Sequence, residues 1–336
     1  MKFRIIATDF AIDLGTSNIL VYKKGQGLII NEPSSLVLDE NYTKVMAIGQ
    51  EAKDMLGKTH DDIQVVKPIR NGVITDFNLT EAMLTYFFDK VNDHFSFIQP
   101  KVVIVVPSGI TDIQKRAVED AALHAGSRDI ILVDESLAAA YGMNLAPQEA
   151  RGILLINMGA GTSQVAVISL NGIVASETKN KGGDYLDEKI VEYFRDEKDL
   201  EIGKNTAEKV KIELGSLKVK DGNNEMLVDG RDLSSAKPKT VSIKSNELVS
   251  TLLPFADEIC DMVMEVLEKT PPEISADIKK DGFALSGSLS QLSGMAEYIE
   301  KKIGLKSYHS EDPSTDAILG AGMILENPDK FLKYRK

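Results

Sequence analysis

The sequence predicts a mixed α/β fold made of two related domains that face each other. Three observations predict it. The chain has 336 residues, and at roughly 100–200 residues per domain that length suggests about two domains. An apolar strand, a turn with glycine and Thr/Ser, and a second apolar strand occur twice, about 140 residues apart, as in an internal duplication. Strand and helix patterns alternate between and after the two copies, as they do around a largely central sheet.

The elements follow in order. Residues 1–10 are basic but reach Asp9 before any long apolar region forms. They read as a first strand or its lead-in, not as a secretory signal. The first copy of the repeat is Ala11-Ile12-Asp13-Leu14-Gly15-Thr16-Ser17-Asn18-Ile19-Leu20-Val21-Tyr22, a hairpin signature. Lys101-Val102-Val103-Ile104-Val105-Val106-Pro107 is a continuous apolar β-branched run suited to a strand buried on both faces. Residues 111–125 read as a helix capped by Thr111 or Asp112 and ended by Gly126. Ile130-Ile131-Leu132-Val133 is another buried strand and leads into an alanine-rich helix, residues 136–143. The second copy spans residues 153–168 and contains Asn157-Met158-Gly159-Ala160-Gly161-Thr162. Residues 184–199 and 204–217 read as helices. Residues 226–243 read as polar strand with turns at Asp229-Gly230 and Lys237-Pro238. Residues 246–269 form a long amphipathic helix in which Pro254 marks a boundary. Residues 282–287 are strand then turn, 294–303 and 316–325 are helices, and the basic tail 328–336 is expected to fray.

Composition excludes several classes. A net charge of −12 argues against nucleic acid as a partner, which needs a basic footprint. It leaves room for a small phosphate ligand held by backbone amides and a metal ion. Cys260 is the only cysteine, so no intrachain disulfide forms, and a reducing cytoplasm fits. No stretch approaches the roughly 20 apolar residues of a membrane span.

Chemistry concentrates in four places. Asp13-Leu14-Gly15-Thr16-Ser17-Asn18 offers what a nucleotide phosphate needs. Gly15 permits close backbone approach, and Thr16, Ser17 and Asn18 add hydrogen bonds. Asp13, at a strand end, is suited to hold Mg²⁺ through its water shell. Gly159-Ala160-Gly161-Thr162 supplies a matching loop from the other domain. Glu135 follows a strand, at the sheet edge where α/β folds place ligands, and could orient an attacking water. Gly182-Gly183-Asp184 opens a helix whose amides could meet phosphate or ribose.

With these residues in view, the chain resembles the MreB family of bacterial actin homologues. That family shares a superfamily with actin, sugar kinases and heat-shock chaperones. The resemblance runs over residues 10–325, with matching stretches at 12–22, 31–34, 47–57, 73–86, 102–116, 165–172, 182–187 and 270–276. It implies an actin-like two-domain fold of duplicated ribonuclease-H-like domains, with four subdomains around a nucleotide cleft. The implied division is 1–145, with a small subdomain near 32–75, and 146–336, with a small subdomain near 182–243. The C-terminal helix would return to the first domain. Implied ligands are ATP or ADP with Mg²⁺. Nucleotide contacts carry over onto Gly15, Thr16, Ser17, Asn18, Gly159, Ala160, Gly161, Gly182, Gly183, Asp184, Glu208, Lys211 and the turn Gly287-Ser288-Leu289. Glu135 and Thr162 match the residues that place the hydrolytic water, and Asp13 and Asn157 those that hold the metal through water.

Four positions depart from the family pattern. Asn157 stands for an aspartate, Ala160 for a glycine, Ser136 for a proline, and Gly287-Ser288-Leu289 for a three-glycine turn. Asparagine keeps the shape and loses the charge, and charge-assisted bonds are about twice as strong as neutral ones. Leu289 is expected to crowd the nucleotide, and Ser136 to loosen Glu135. A slow ATPase is therefore expected.

The resemblance implies self-assembly into antiparallel double filaments serving cell shape or motility. Filaments alongside MreB-like paralogues and at the inner face of the cell membrane are further expectations. Phe95, Phe97 and Ile98 match a loop that inserts into the bilayer; packing under the preceding helix, residues 80–91, is the alternative. The competing function is a sugar or acetate kinase of the same superfamily. A chaperone is not expected at this length.

Overall fold

The computed structural model describes residues 9–39, 44–56, 58, 63–91, 99–219 and 224–332. Phe95, Phe97 and Ile98 lie outside the described residues.

The first half runs β1 (Phe10–Leu14), β2 (Asn18–Lys23), β3 (Gly27–Pro33), β4 (Leu36–Leu38), β5 (Val45–Ile48), α1 (Gln50–Met55), β6 (Gln64–Val66), β7 (Ile69–Arg70), β8 (Val73–Ile74), α2 (Phe77–Val91), β9 (Lys101–Val106), α3 (Asp112–His124), β10 (Asp129–Asp134) and α4 (Glu135–Gly142). The second half runs β11 (Ile153–Met158), β12 (Ser163–Ser169), β13 (Gly172–Lys179), α5 (Gly183–Lys198), β14 (Leu200–Glu201), α6 (Lys204–Leu214), β15 (Glu225–Asp232), β16 (Pro238–Lys244), α7 (Val249–Glu268), α8 (Pro272–Asp281), β17 (Phe283–Ser286), α9 (Met295–Ile303), β18 (Ser307–His309), α10 (Asp316–Glu326) and α11 (Pro328–Leu332).

The duplication is visible in the sheets. One has the order β10-β9-β1-β2-β3 and the other β13-β12-β11-β17-β18. In each, a three-strand antiparallel meander is extended by two parallel strands, β9 then β10 beside β1, and β17 then β18 beside β11. Strand alternation gives each sheet two apolar faces. Phe10, Ile12, Val102 and Ile104 turn outward to meet Phe87 and Phe88 of α2, all essentially fully buried. Each such side chain contributes about 1.5–3 kcal/mol. Leu154, Ile156, Val165 and Val167 meet α5 and α7 through Ile190, Phe255 and Ile259.

The opposite faces, with Ala11, Val103, Leu155 and Ala166, enclose α4 and α10 between the two sheets. These helices need glycine where they cross. A Cβ on Gly142 would stand 1.9 Å from the Asp316 carbonyl oxygen, and one on Gly320 would stand 1.8 Å from that of Ala138. α4 begins at Glu135, and α10, which begins at Asp316, starts beside the far end of α4 at Gly142.

Four expectations need correction. Asp229 and Gly230 do not turn; they pair with Thr240 and Lys239 inside a longer hairpin. The turn comes after Asp232, whose carboxylate accepts from the Ser234 and Ser235 amides. Pro254 lies inside α7 and ends nothing. Burial of Leu252, Phe255, Ala256 and Ile259 outweighs its one missing hydrogen bond. The tail is helical over Pro328–Leu332, where the Phe331 ring packs edge-on against Tyr141 at 4.3 Å. The helix expected over 204–217 also stops at Leu214, capped by Gly215.

Candidate functional site

A cleft of ≈ 710 Å³ lies between the two halves. Both strand–turn–strand loops line it. So do Asp13, Gly15, Thr16, Ser17, Asn18, Glu135, Asn157, Gly159, Ala160, Gly161, Thr162, Gly183, Asp184, Glu208, Lys211, Gly287, Ser288 and Leu289. Of the described residues named from sequence as ligand, metal or water contacts, Gly182 alone does not line it.

The floor is built from strand ends. Asp13 closes β1 on the face shared with Ala11, and Asn157 closes β11 on the face shared with Leu155. Between them stands Glu135, fixed at the start of α4. The Asp134 carboxylate caps that helix by accepting from the Ser136 amide at 3.0 Å and the Leu137 amide at 3.4 Å. Ser136 therefore does not loosen Glu135. It supplies an N–H that a proline would lack, and such a cap contributes about 1 kcal/mol.

Electrostatics follow from depth. Burial pushes the Asp13 carboxyl well above its ordinary range, and Glu135 pushes it further. Burial also raises Glu135, and Asp134 adds to the rise, while a hydrogen bond from the Asn157 side chain opposes it. Asn157 thus turns a donor toward Glu135, a role its aspartate counterpart could not take while ionised. Two carboxylates that resist ionising together are an arrangement a cation would relieve. No group of three acidic, histidine or cysteine side chains suited to a metal occurs among the described residues. This donor set fits an ion held largely by water and ligand phosphates, as Mg²⁺ commonly is.

The second loop and its neighbours have much of their hydrogen bonding committed within the protein. Gly159 N–H donates to the Thr162 carbonyl at 2.9 Å inside its own turn. Gly183 and Asp184 were expected to offer amides to a ligand. Instead they donate to the Gly159 and Ala160 carbonyls at 3.0 and 2.8 Å, stapling α5 to the second loop. Lys211 is also committed, 2.8 Å from the Asp187 carboxylate and 3.0 Å from the Gly183 carbonyl. Leu289 packs into the second core at 6% exposure, so burial absorbs the crowding expected of it.

Several residues escaped the sequence reading. The β7–β8 hairpin turns through Asn71 and Gly72, both at positive φ. Gly72 N–H donates to the Thr16 hydroxyl at 3.0 Å. The Asn-Gly pair is itself a hairpin signal. Lys53 pairs with Glu208 at 3.2 Å and Lys67 with Asp184 at 3.4 Å, joining the two halves across the cleft. Such partly exposed pairs contribute about 0–1 kcal/mol each, so they hold the halves together without locking them.

Asp316 was also missed. It is 1% exposed, and burial pushes its carboxyl from 3.8 up to about 6. The folded chain therefore holds this proton more tightly than the unfolded chain. Its contribution is complete below about pH 4 and lost as pH rises through about 6. Relative to wild type, Asp316→Asn is expected to gain up to about 3 kcal/mol at about pH 8 and nothing at about pH 4. Thermal melts across that range test this; a difference independent of pH rejects it.

Paired sheets of one topology, a cleft between them and a phosphate-sized loop on each side define an actin-like protein. The chain belongs to the MreB/Mbl family: residues 7–333 match the profile described as MreB/Mbl protein. It is 39% identical over 335 residues to the cell shape-determining protein MreB of Escherichia coli (strain K12), covering 98% of this chain and 96% of that one. It is 36% identical over 331 residues to the cell shape-determining protein Mbl of Bacillus subtilis (strain 168), covering 98% and 99%. The crystal structure of MreB5 of Spiroplasma citri bound to ADP superposes with a TM-score of 0.92 at 32% identity, covering 98% and 99%. A MamK double helical filament, at 20% identity, covering 95% of this chain and 99% of that one, shares the fold with a TM-score of 0.79.

Proposed function

We propose that this protein binds ATP or ADP with Mg²⁺ in the cleft and polymerises into actin-like, antiparallel double filaments that support cell shape or motility. The observation that carries this reading is the pair of facing loops, Asp13–Asn18 and Asn157–Thr162, above a floor of two mutually repelling carboxylates. Kinship supports it, since MreB5 of Spiroplasma citri was solved with ADP and with AMPPNP. In this reading Gly15, Thr16, Ser17 and Asn18 hold phosphate from one side and Gly159 and Gly161 from the other. Glu135 and Thr162 place the water, and Asp13 and Asn157 hold the metal's water shell. Catalysis is positioning and charge stabilisation, with no covalent step. Turnover is slow because Asn157 brings no charge to the metal.

The same reading divides the chain at 145/146 and gives each half a small subdomain, near 32–75 and 182–243. It places filaments in the cytoplasm, with Phe95, Phe97 and Ile98 docking them on the inner face of the membrane. Three side chains anchor weakly, so avidity along a filament is required.

One experiment tests the whole. Sedimentation is measured beside phosphate release with ATP, ADP and no nucleotide, each with and without liposomes. Nucleotide-dependent pelleting with slow phosphate release is expected, and liposome recruitment that falls in a Phe95→Ala, Phe97→Ala variant. Failure to bind or pellet with any nucleotide sinks the filament reading. Recruitment unchanged in the variant sinks the membrane part alone.

A further inference from the structure

We propose that Gln164 is a positioning residue: through one bridging water, its amide fixes the Asn157 amide that orients Glu135. The assignment rests on the reading of the cleft as an ATP site only for its consequence in turnover. The arrangement itself belongs to the chain without ligand.

The alternation of β12 first draws attention to Gln164. Its inward face reads Gln164, Ala166, Ile168, and the last two complete the apolar layer between the sheets. An amide in that row is out of pattern. Gln164 is 2% exposed, and neither its Nε2 nor its Oε1 has a hydrogen-bond partner. Buried polar side chains nearly always have one, so this amide stands ready for a partner that must be close.

The register supplies one. Asn157 lies directly opposite Gln164 in the antiparallel pair of β11 and β12. Residues so paired share a face, with Cβ atoms about 4.5–5.5 Å apart. Asn157 is itself 4% exposed. Its Oδ1 is turned toward Gly287, where a Cβ would stand 2.6 Å from it. The NH₂ end is therefore the one that serves Glu135, and a carboxylate only accepts. That NH₂ carries two hydrogens. One serves Glu135, and the second is the one that the Gln164 carbonyl oxygen takes across the strand pair through one bridging water. With both hydrogens engaged, the Asn157 amide has one orientation, and Glu135 is held where it can meet a water. A free amide would rotate and release it.

The test uses the full chain. In the nucleotide-free protein, the side-chain amide signals of Asn157 are followed by ¹⁵N NMR in wild type and Gln164→Leu. Their hydrogen exchange is expected to be at least about fivefold faster in the variant, because one of two bonds is gone. Gln164→Glu, which keeps an acceptor, should restore slow exchange. The melting temperature of Gln164→Leu should fall by no more than a few degrees, since the cost is one water-bridged hydrogen bond to a neighbouring amide. Gln164→Met serves if leucine does not fold. With Mg·ATP, kcat for phosphate release should fall about five- to tenfold at a KM within about twofold, the mark of a group that acts after binding. Asn157 signals and exchange unchanged in Gln164→Leu overturn the proposal, whatever the nucleotide does. If wild type fails to bind ATP, the functional reading falls, and the amide measurement still decides the role of Gln164.

Discussion

Replacing Asn157 by aspartate is expected to speed phosphate release from Mg·ATP by roughly five- to tenfold, and to lower the melting temperature of the nucleotide-free protein by a few degrees. Both effects come from one atom pair. In the wild-type chain the Asn157 amide donates to Glu135, offsetting part of the burial that raises this carboxyl. Aspartate removes the donor and adds a third carboxyl beside Glu135 and Asp13, whose carboxyl is already pushed up by burial and by Glu135. Without a cation that costs on the order of 1–3 kcal/mol. With Mg²⁺ the sign reverses, because an ionised acceptor holds a metal-bound water about twice as strongly as a neutral carbonyl. A net gain on the order of 1 kcal/mol in the transition state, left once the stronger hold on the metal-bound water has outweighed the lost bond to Glu135, corresponds to the predicted rate change. Burial beside two acidic neighbours penalises the ionised form of the new carboxyl, so its destabilisation grows as pH rises. Melts with and without Mg·ATP, run beside a phosphate-release assay, read both effects. A variant whose melting temperature does not fall in the absence of Mg²⁺ contradicts the three-carboxylate picture. Unchanged phosphate release would mean that this position does not limit turnover.

The fold was largely legible because its signals are local. A continuous β-branched run made β9, and Thr111 closed a capping box with Gln114 at the start of α3, as its spacing suggests. The two loops that line the cleft were each readable from glycine, threonine and strand alternation. What escaped depends on contacts between distant residues. Nothing local announces that Lys53 will meet Glu208, 155 positions away, or that Lys211 will be spent on Asp187. The amides of Gly183 and Asp184 looked available because a helix N-terminus leaves its first N–H groups unpaired. Only the fold shows that the second loop's carbonyls take them. Gln164 is the intermediate case. A polar residue in an otherwise apolar alternating face was visible in the sequence, but that it stands opposite Asn157 follows from register. Asn71-Gly72 was likewise readable as a turn, yet its reach to Thr16 is a tertiary fact.

Substituting Gly161 should have the largest effect on ligand binding. Gly161 is where the second loop meets the first. A Cβ there would stand 2.5 Å from the Thr16 hydroxyl oxygen and 3.0 Å from both the Cα and the N of Asn71. Alanine can be accommodated if the Thr16 side chain turns away, giving up its bond from Gly72 N–H. A loss of about three- to tenfold in nucleotide affinity is expected, consistent with one neutral hydrogen bond. Valine has no such escape. Its added methyls run into the Asn71 backbone, which is held in a tight turn at φ 51°. The second loop must then retreat from the first, and overpacking of this kind costs typically about 1–3 kcal/mol. Because the clamp depends on both loops reaching the same phosphates, the cost falls on binding, and affinity should drop about a hundredfold. The distortion lies at the cleft surface, away from the apolar cores, so the fold should survive. Gly203→Ala, where an added Cβ meets nothing within 4 Å, is the matched control. Titration with a fluorescent ADP analogue, checked by circular dichroism, separates the outcomes. Wild-type affinity in Gly161→Val would show that the two loops do not act on one ligand, and the clamp would have to be abandoned.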